Sequence, residues 1–98
     1  MWNGMEIDEH GTREWWLNDR RHREDGPARE WADGTKEWYR DGLLHREDGP
    51  AVEWADEIQE WWLWSNCLGE GGEGFWALWD RLTNEQRANP TLLRHLPR

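Results

Sequence analysis

The heptapeptide HREDGPA stands at His22–Ala28 and again, unchanged, at His45–Ala51. Each copy brings together an imidazole, a guanidinium and two carboxylates. Such a set could hold a metal through His22-x-x-Asp25 or His45-x-x-Asp48, or support proton transfer. Its repetition argues against both, because an active site is one asymmetric constellation rather than one copy per structural unit. No positioned nucleophile, glycine-rich phosphate loop or dinucleotide fingerprint accompanies it. The residues therefore point to no catalytic group, no metal ligand and no cofactor. The histidines are expected to pack or hydrogen-bond near a turn.

The heptapeptide belongs to a larger repeat with a period of 23 residues. Trp15, Trp38 and Trp61 are successive members, as are Trp16, Tyr39 and Trp62, and Glu14, Glu37 and Glu60. Within two units His22 matches His45, Trp31 matches Trp54, and Gly11-Thr12 matches Gly34-Thr35. A third unit opens as DEIQEWWLWSNCL and loses the pattern at Gly69, with Leu68 in the histidine's place. A motif embedded in repeated Trp and Gly reads as a turn and packing signal.

Asp33-Gly34 lies between two polar-aromatic runs and predicts a hairpin turn, and Asp41-Gly42 predicts the next reversal. Asp25-Gly26-Pro27 and Asp48-Gly49-Pro50 predict kinks, with Gly supplying positive φ and Pro lacking a donor. A two-residue turn at Asp33-Gly34 sets Glu30 opposite Glu37 and Arg29 opposite Trp38. Trp31, Trp38 and Arg29 then share one face, and Glu30, Glu37, Ala28 and Tyr39 the other. One unit later Trp54, Trp61 and Val52 fall together, with Glu53, Glu60, Ala51 and Trp62 behind them. The expectation is a Trp-rich core stripe backed by an acidic stripe of Glu14, Glu30, Glu37, Glu53 and Glu60. Like charges placed opposite each other destabilise a sheet, so this stripe calls either for Arg and Lys neighbours or for a basic partner.

Gly69–Gly74, GEGGEG, reads as a flexible connector. Phe75, Trp76, Leu78, Trp79 and Leu82 follow helical spacing. Thr83 with Gln86 resembles a capping box, Pro90 interrupts, and Thr91–Leu96 can form a last helical turn. The expected organisation is β-hairpin repeats over 1–68, a connector over 69–74 and a helical segment over 75–98. The expected fold class is mainly β: a single-layer antiparallel meander of 23-residue hairpins with a short α-helical C-terminal cap.

The composition is compatible with that plan. At 98 residues the chain suits one small domain with a thin core, and eleven tryptophans supply bulk that few aliphatics would. The single cysteine, Cys67, excludes an internal disulfide or a multi-cysteine zinc site. No membrane-spanning run and no secretory leader stand out, so a cytoplasmic protein is expected. The formal charge of −9 divides into −11 over residues 1–73 and +2 over 74–98. An acidic body repels nucleic acid and anionic lipid and attracts basic surfaces.

The string from Trp38 to Ala51, WYRDGLLHREDGPA, resembles MORN repeats and their HREDGPA-type variants. The resemblance covers roughly residues 10–68 and rests on the aromatic pair followed by Gly42-Leu43-Leu44-His45. Asp19 replaces that Gly in the first unit, and Arg23 and Arg46 replace the Gly that follows the family's His. The resemblance implies stacked hairpins in one layer, used for binding or scaffolding rather than catalysis. HREDGPA-type proteins resemble small bacterial and phage products.

Three functions follow as expectations. The first is a non-enzymatic acidic module that occupies the basic surface of a nucleic-acid-binding protein. In size and charge it would resemble phage anti-defence inhibitors, including anti-CRISPR proteins, and act in the host cytoplasm. Its contact residues would be Glu14, Glu30, Glu37, Glu53 and Glu60 with Trp16, Tyr39 and Trp62, without direct nucleic-acid or membrane contact. The second is a scaffold module that self-associates, for example as a homodimer, through a sheet edge. The third is carbohydrate binding, which requires Trp16, Tyr39 and Trp62 to be exposed and coplanar.

Overall fold

Each repeat reverses direction twice, and the two turns differ. Asn18-Asp19, Asp41-Gly42 and Trp64-Ser65 have positive φ at both positions. This is the two-residue hairpin turn whose twist matches paired strands. The second turn is longer. Trp31 N–H donates to Thr35 O at 2.8 Å and Gly34 N–H donates to Trp31 O at 3.0 Å. Ala32–Gly34 therefore form a three-residue loop, closed by Gly34 at φ 96°. The same pattern recurs at Asp8–Thr12 and at Trp54–Ile58, closed by Gly11 and Glu57.

The computed structural model describes residues 2–97. Its strands are β1 Gly4–Ile7, β2 Arg13–Leu17, β3 Arg20–Arg21, β4 Arg29–Glu30, β5 Lys36–Glu37, β6 Tyr39–Arg40, β7 Leu43–Leu44, β8 Val52–Glu53, β9 Gln59–Leu63 and β10 Asn66–Glu70. The helices are α1 Gly71–Trp79, α2 Asn84–Arg87 and α3 Pro90–Leu93. The fold is mainly β, an antiparallel meander in the order β1-β2-β4-β5-β8-β9-β10. β3 pairs with the far half of β2, and β6 pairs with β7.

The layer forks at a tryptophan in each of the first two repeats. Trp38 N–H donates to Ala51 O at 2.7 Å, while Trp38 O accepts from His45 N–H at 3.0 Å. Trp15 does the same with Ala28 and His22, at 2.8 and 3.1 Å. One peptide neighbour lies in each arm of the fork, and HREDGPA is the chain that crosses between the arms.

The longer turn moves the register one residue from the sequence expectation. Glu30 lies opposite Lys36 and Arg29 opposite Glu37. A one-residue slip exchanges the faces of a strand. Trp31 thus shares a face with Arg29 and Glu37 rather than with Trp38. Val52 and Trp54 share a face with Glu60 rather than with Trp61. The continuous acidic stripe does not exist: Glu14, Glu37 and Glu60 lie on one face, and Glu30 and Glu53 on the other. Between the repeats the opposed partners are acid and base, with Arg13 across from Glu30, Arg29 across from Glu14, and Lys36 across from Glu53; acid opposes acid at the two ends of the sheet, Glu6 across from Glu14 and Glu70 across from Glu60.

At the C-terminal end, β10 runs to Glu70 and α1 starts at Gly71, so the expected connector is a strand end and a first helical turn. The capping box forms: Gln86 N–H donates to Thr83 Oγ1 and Thr83 N–H donates to Gln86 Oε1. Pro90 starts α3 as its first helical residue, with Asn89 as the cap. An apolar core cluster sits at this end, with Trp61, Phe75, Leu78, Leu82 and Leu92 buried together. α1 reaches Trp61 through Gly74, where an added Cβ would stand 2.2 Å from the indole and 2.5 Å from Gly69 O. Neither neighbour can move aside, so Gly74→Ala is expected to destabilise the protein by about 3 kcal/mol, the upper range for overpacking, in urea unfolding followed by tryptophan fluorescence.

Candidate functional site

The arginine of HREDGPA closes the crossing segment on itself. Arg46 Nε donates to Asp48 Oδ1 at 2.8 Å and its Nη1 donates to Pro50 O at 3.2 Å. Arg23 makes the equivalent bonds to Asp25 and Pro27, each at 3.2 Å. Each guanidinium also lies 4.0 Å from an indole centre, Arg23 over Trp15 and Arg46 over Trp38. Cationic guanidinium over an electron-rich indole face is attractive. The same Nη1 of each guanidinium also meets a strand carboxylate, Glu30 at 3.8 Å from Arg23 and Glu53 at 3.4 Å from Arg46.

This arrangement corrects the expected role of the glycine. Gly26 and Gly49 are not among the positive-φ residues. A Cβ at Gly49 would stand 2.5 Å from Arg46 Cζ, and one at Gly26 would stand 3.1 Å from Arg23 Cζ. Glycine is there to let the guanidinium approach. In the third repeat Gly69 holds the arginine's place, and Phe75 of α1 packs edge-on against Trp61 instead.

The opposite face is built from carboxylate clamps. Glu37 accepts from Trp31 Nε1 at 2.7 Å and from Tyr39 Oη at 2.9 Å. Glu60 accepts from Trp54 Nε1 at 2.6 Å and from Trp62 Nε1 at 3.0 Å. Burial and the neighbouring Glu37 push the Tyr39 hydroxyl up to about 12, so it remains a donor at neutral pH. In the first repeat two guanidinium groups take the clamp's place. Arg21 Nε donates to Glu14 at 3.2 Å, and Arg29 lies 3.4 Å away.

The eight residues expected to contact a partner are thereby divided. Glu14, Glu37 and Glu60 share a face with Trp16, Tyr39 and Trp62; Glu30 and Glu53 face away. All five carboxylates have partners within the chain, and the three rings are half-buried rather than an exposed platform. The exposed rings of that face are Trp31 and Trp54, at 39% and 46%. Their shared spacing to Glu37 and Glu60 was visible in the sequence, but the two-residue turn put them on the wrong face.

The two histidines tie one repeat to the next. His22 Nδ1 accepts from Asp41 N–H, and His45 Nδ1 accepts from Trp64 N–H, each at 3.0 Å. His45 is buried, stacks on the Trp64 ring at 3.8 Å between centres, and meets Glu47 through Nε2 at 3.1 Å. Glu47 in turn accepts from Gln86 of α2 at 3.0 Å. An Nδ1 that accepts must be unprotonated. Burial holds His45 below the usual 6.5, and Arg40 adds to this, while the bond and charge of Glu47 oppose it.

Between the two HREDGPA turns and the α2–α3 segment lies a cleft of about 460 Å³, reached by Arg40, Gln86, Asn89 and Thr91. Its other charged groups are the self-paired arginines and acids of the turns. Among the described residues no cluster of three His, Cys, Asp or Glu could hold a metal ion. No helix among them is long and apolar enough to cross a membrane. Against protein-family models, curated proteins and solved structures the chain gives no match.

Lowering the pH below about 6.5 protonates His45 more readily in the unfolded chain than in the folded one. His45 therefore contributes stability that is full above that pH and lost as the pH falls through the folded value. Urea midpoints measured between pH 7.5 and pH 5 (chosen to bracket the usual ~6.5 of histidine) should fall with acidification. His45→Asn, which keeps an acceptor but does not titrate, should flatten that slope.

Proposed function

We propose that the chain is a non-enzymatic protein-binding module for a basic partner surface, of the kind that holds nucleic acid. One observation carries this reading: Trp31 and Trp54 are exposed, yet each indole is held in place by a carboxylate of its own repeat. Rigid, half-covered indoles lose little freedom on binding, and interface hot spots are rich in Trp. Acidic turns border both rings. Asp33 follows Trp31, and Asp56 and Glu57 follow Trp54, all exposed. Hydrogen bonds from Thr35 keep Asp33 below the usual carboxylate range. With a net charge of −9 the module would be drawn to cations over long range and weakened by salt.

In this reading the internally paired glutamates build the surface, and the turn acids and two indoles make the contact. The module would compete with nucleic acid for its partner in the cytoplasm, as an acidic inhibitor does. A partner recovered at low salt from the lysate of the source cells, then purified, is titrated by calorimetry. Trp31→Ala with Trp54→Ala is expected to weaken binding by about 1,000-fold, two hot-spot contributions of about 2 kcal/mol each, in a variant that circular dichroism shows to be folded. Equal affinity for the double variant, or binding that is insensitive to salt, would exclude this reading.

A further inference from the structure

Glu37 and Glu60 are equivalent positions one period apart, and their surroundings differ in charge. Glu37 accepts from Trp31 and Tyr39, as Glu60 accepts from Trp54 and Trp62. The rings around Glu37 also hold two guanidinium groups. Arg29 lies 3.9 Å from the centre of the Trp31 ring and 3.9 Å from Glu37 Oε1, and Arg21 lies 5.7 Å from the centre of the Tyr39 ring. One period later the residues in the places of Arg29 and Arg21 are Val52 and Leu44. Glu60 keeps both ring donors but makes no ion pair among the described residues.

The strand beside Glu60 adds charge of the same sign. Glu70 stands directly across from it, is exposed, and makes no side-chain bond to the first turn of α1. At the other end of the sheet Glu6 faces Glu14 in the same way, but there Arg21 and Arg29 both reach Glu14, at 3.2 and 3.4 Å. Opposed carboxylates cost stability in a sheet, and a cation beside them removes that cost. Each Glu60 oxygen has a lone pair beyond the one in its indole bond. Glu37 Oε1 shows the combination, with an indole N–H and a guanidinium on the same oxygen. The Trp54 ring is half exposed, on the face away from the helices that cover Trp61.

We propose that Glu60, Glu70 and the rings of Trp54 and Trp62 receive an arginine side chain of the partner. The incoming guanidinium supplies from solvent what Arg29 and Arg21 supply within the chain at Glu37. It lies against the open side of the Trp54 ring and donates to the carboxylates at the ring's edge. A guanidinium suits this place better than an ammonium, because it is flat enough to stack on an indole while its fork reaches a carboxylate. The inference rests on the reading of the chain as a module for a basic partner. It adds Glu60 and Glu70 to the contact and fixes the residue type that the partner presents there.

A titration without the partner tests it. Acetylated, amidated Gly-Arg-Gly is added to the isotope-labelled full chain, and the assigned indole N–H signals are followed by NMR, with Gly-Lys-Gly and Gly-citrulline-Gly as controls. The arginine peptide is expected to shift the Trp54 and Trp62 signals together and saturably, in the millimolar range. The lysine peptide should bind several-fold more weakly, and the uncharged citrulline peptide should not bind. Val52→Arg restores the internal cation, and Glu70→Lys places one across from Glu60 at an exposed position; each is expected to abolish the shifts. Glu70→Lys decides alone if a thermal melt shows Val52→Arg to be unfolded. Unmoved Trp54 and Trp62 signals, equal binding of either control peptide, or full binding by Glu70→Lys would overturn the arginine site. The partner reading is decided separately, by calorimetry with the purified partner: affinity that depends on Trp31 and Trp54 without any arginine-peptide binding retains that reading and removes this one.

Discussion

The structure depends on a guanidinium seated on an indole. Where Arg23 covers Trp15 and Arg46 covers Trp38, the sheet divides, and the chain must pass from one arm to the other. A crossing segment leaves peptide groups without strand partners, and buried unpaired groups are costly. The arginine meets this need by binding its own turn's carboxylate and proline carbonyl while shielding the ring. Long basic side chains cover apolar surface well with their stems. A single-layer repeat thereby gains a local substitute for a second layer. The fixed letters of HREDGPA follow from that geometry. Asp and the Pro carbonyl receive the guanidinium, Gly makes room for it, and Ala28 and Ala51 are fully buried beneath the crossing.

The substitute is local, and the third repeat shows what happens without it. With Gly69 in the arginine's place, Trp61 is covered by a helix, and a dense apolar cluster forms. The molecule is therefore uneven: its C-terminal end has a packed core, while its N-terminal strands rest on cation–π contacts and ion pairs. Exposed ion pairs contribute little each, on the order of 1 kcal/mol or less. The histidine bonds to the next repeat's turn matter in this setting, because they link the thin end to the packed one. His45 goes further, passing through Glu47 to Gln86 and so connecting the second repeat to the helices.

The two faces do different work. On one, arginines and helices cover the tryptophans of the fork. On the other, glutamates hold aromatic rings at their polar edges and leave Trp31 and Trp54 partly open. Carboxylates that look like a ladder in the sequence are building material in the structure. The charge free to act at a distance comes from the turns, where Asp33, Asp56 and Glu57 are exposed and make no ion pair among the described residues.

Much of this was legible in the residues. The 23-residue period, the antiparallel hairpins, the reversal at Asp41-Gly42, the helical spacing from Phe75 and the Thr83–Gln86 box depend on neighbours in the chain. Short-range signals of that kind survive without tertiary context. The register did not, because Asp-Gly suits both a two-residue and a three-residue turn, and only the bond between Trp31 and Thr35 chooses. That one residue moved Trp31 and Trp54 to the opposite face and turned supposed like-charge pairs into Arg29–Glu37 and Glu30–Lys36. The role of Gly49 was also out of reach, since its reason is a guanidinium arriving through space. So was the fate of Gly71–Gly74, which joins a helix because packing on Trp61 outweighs the poor helical tendency of glycine. Local preference settled the elements; pairing and packing between distant residues settled which groups face solvent.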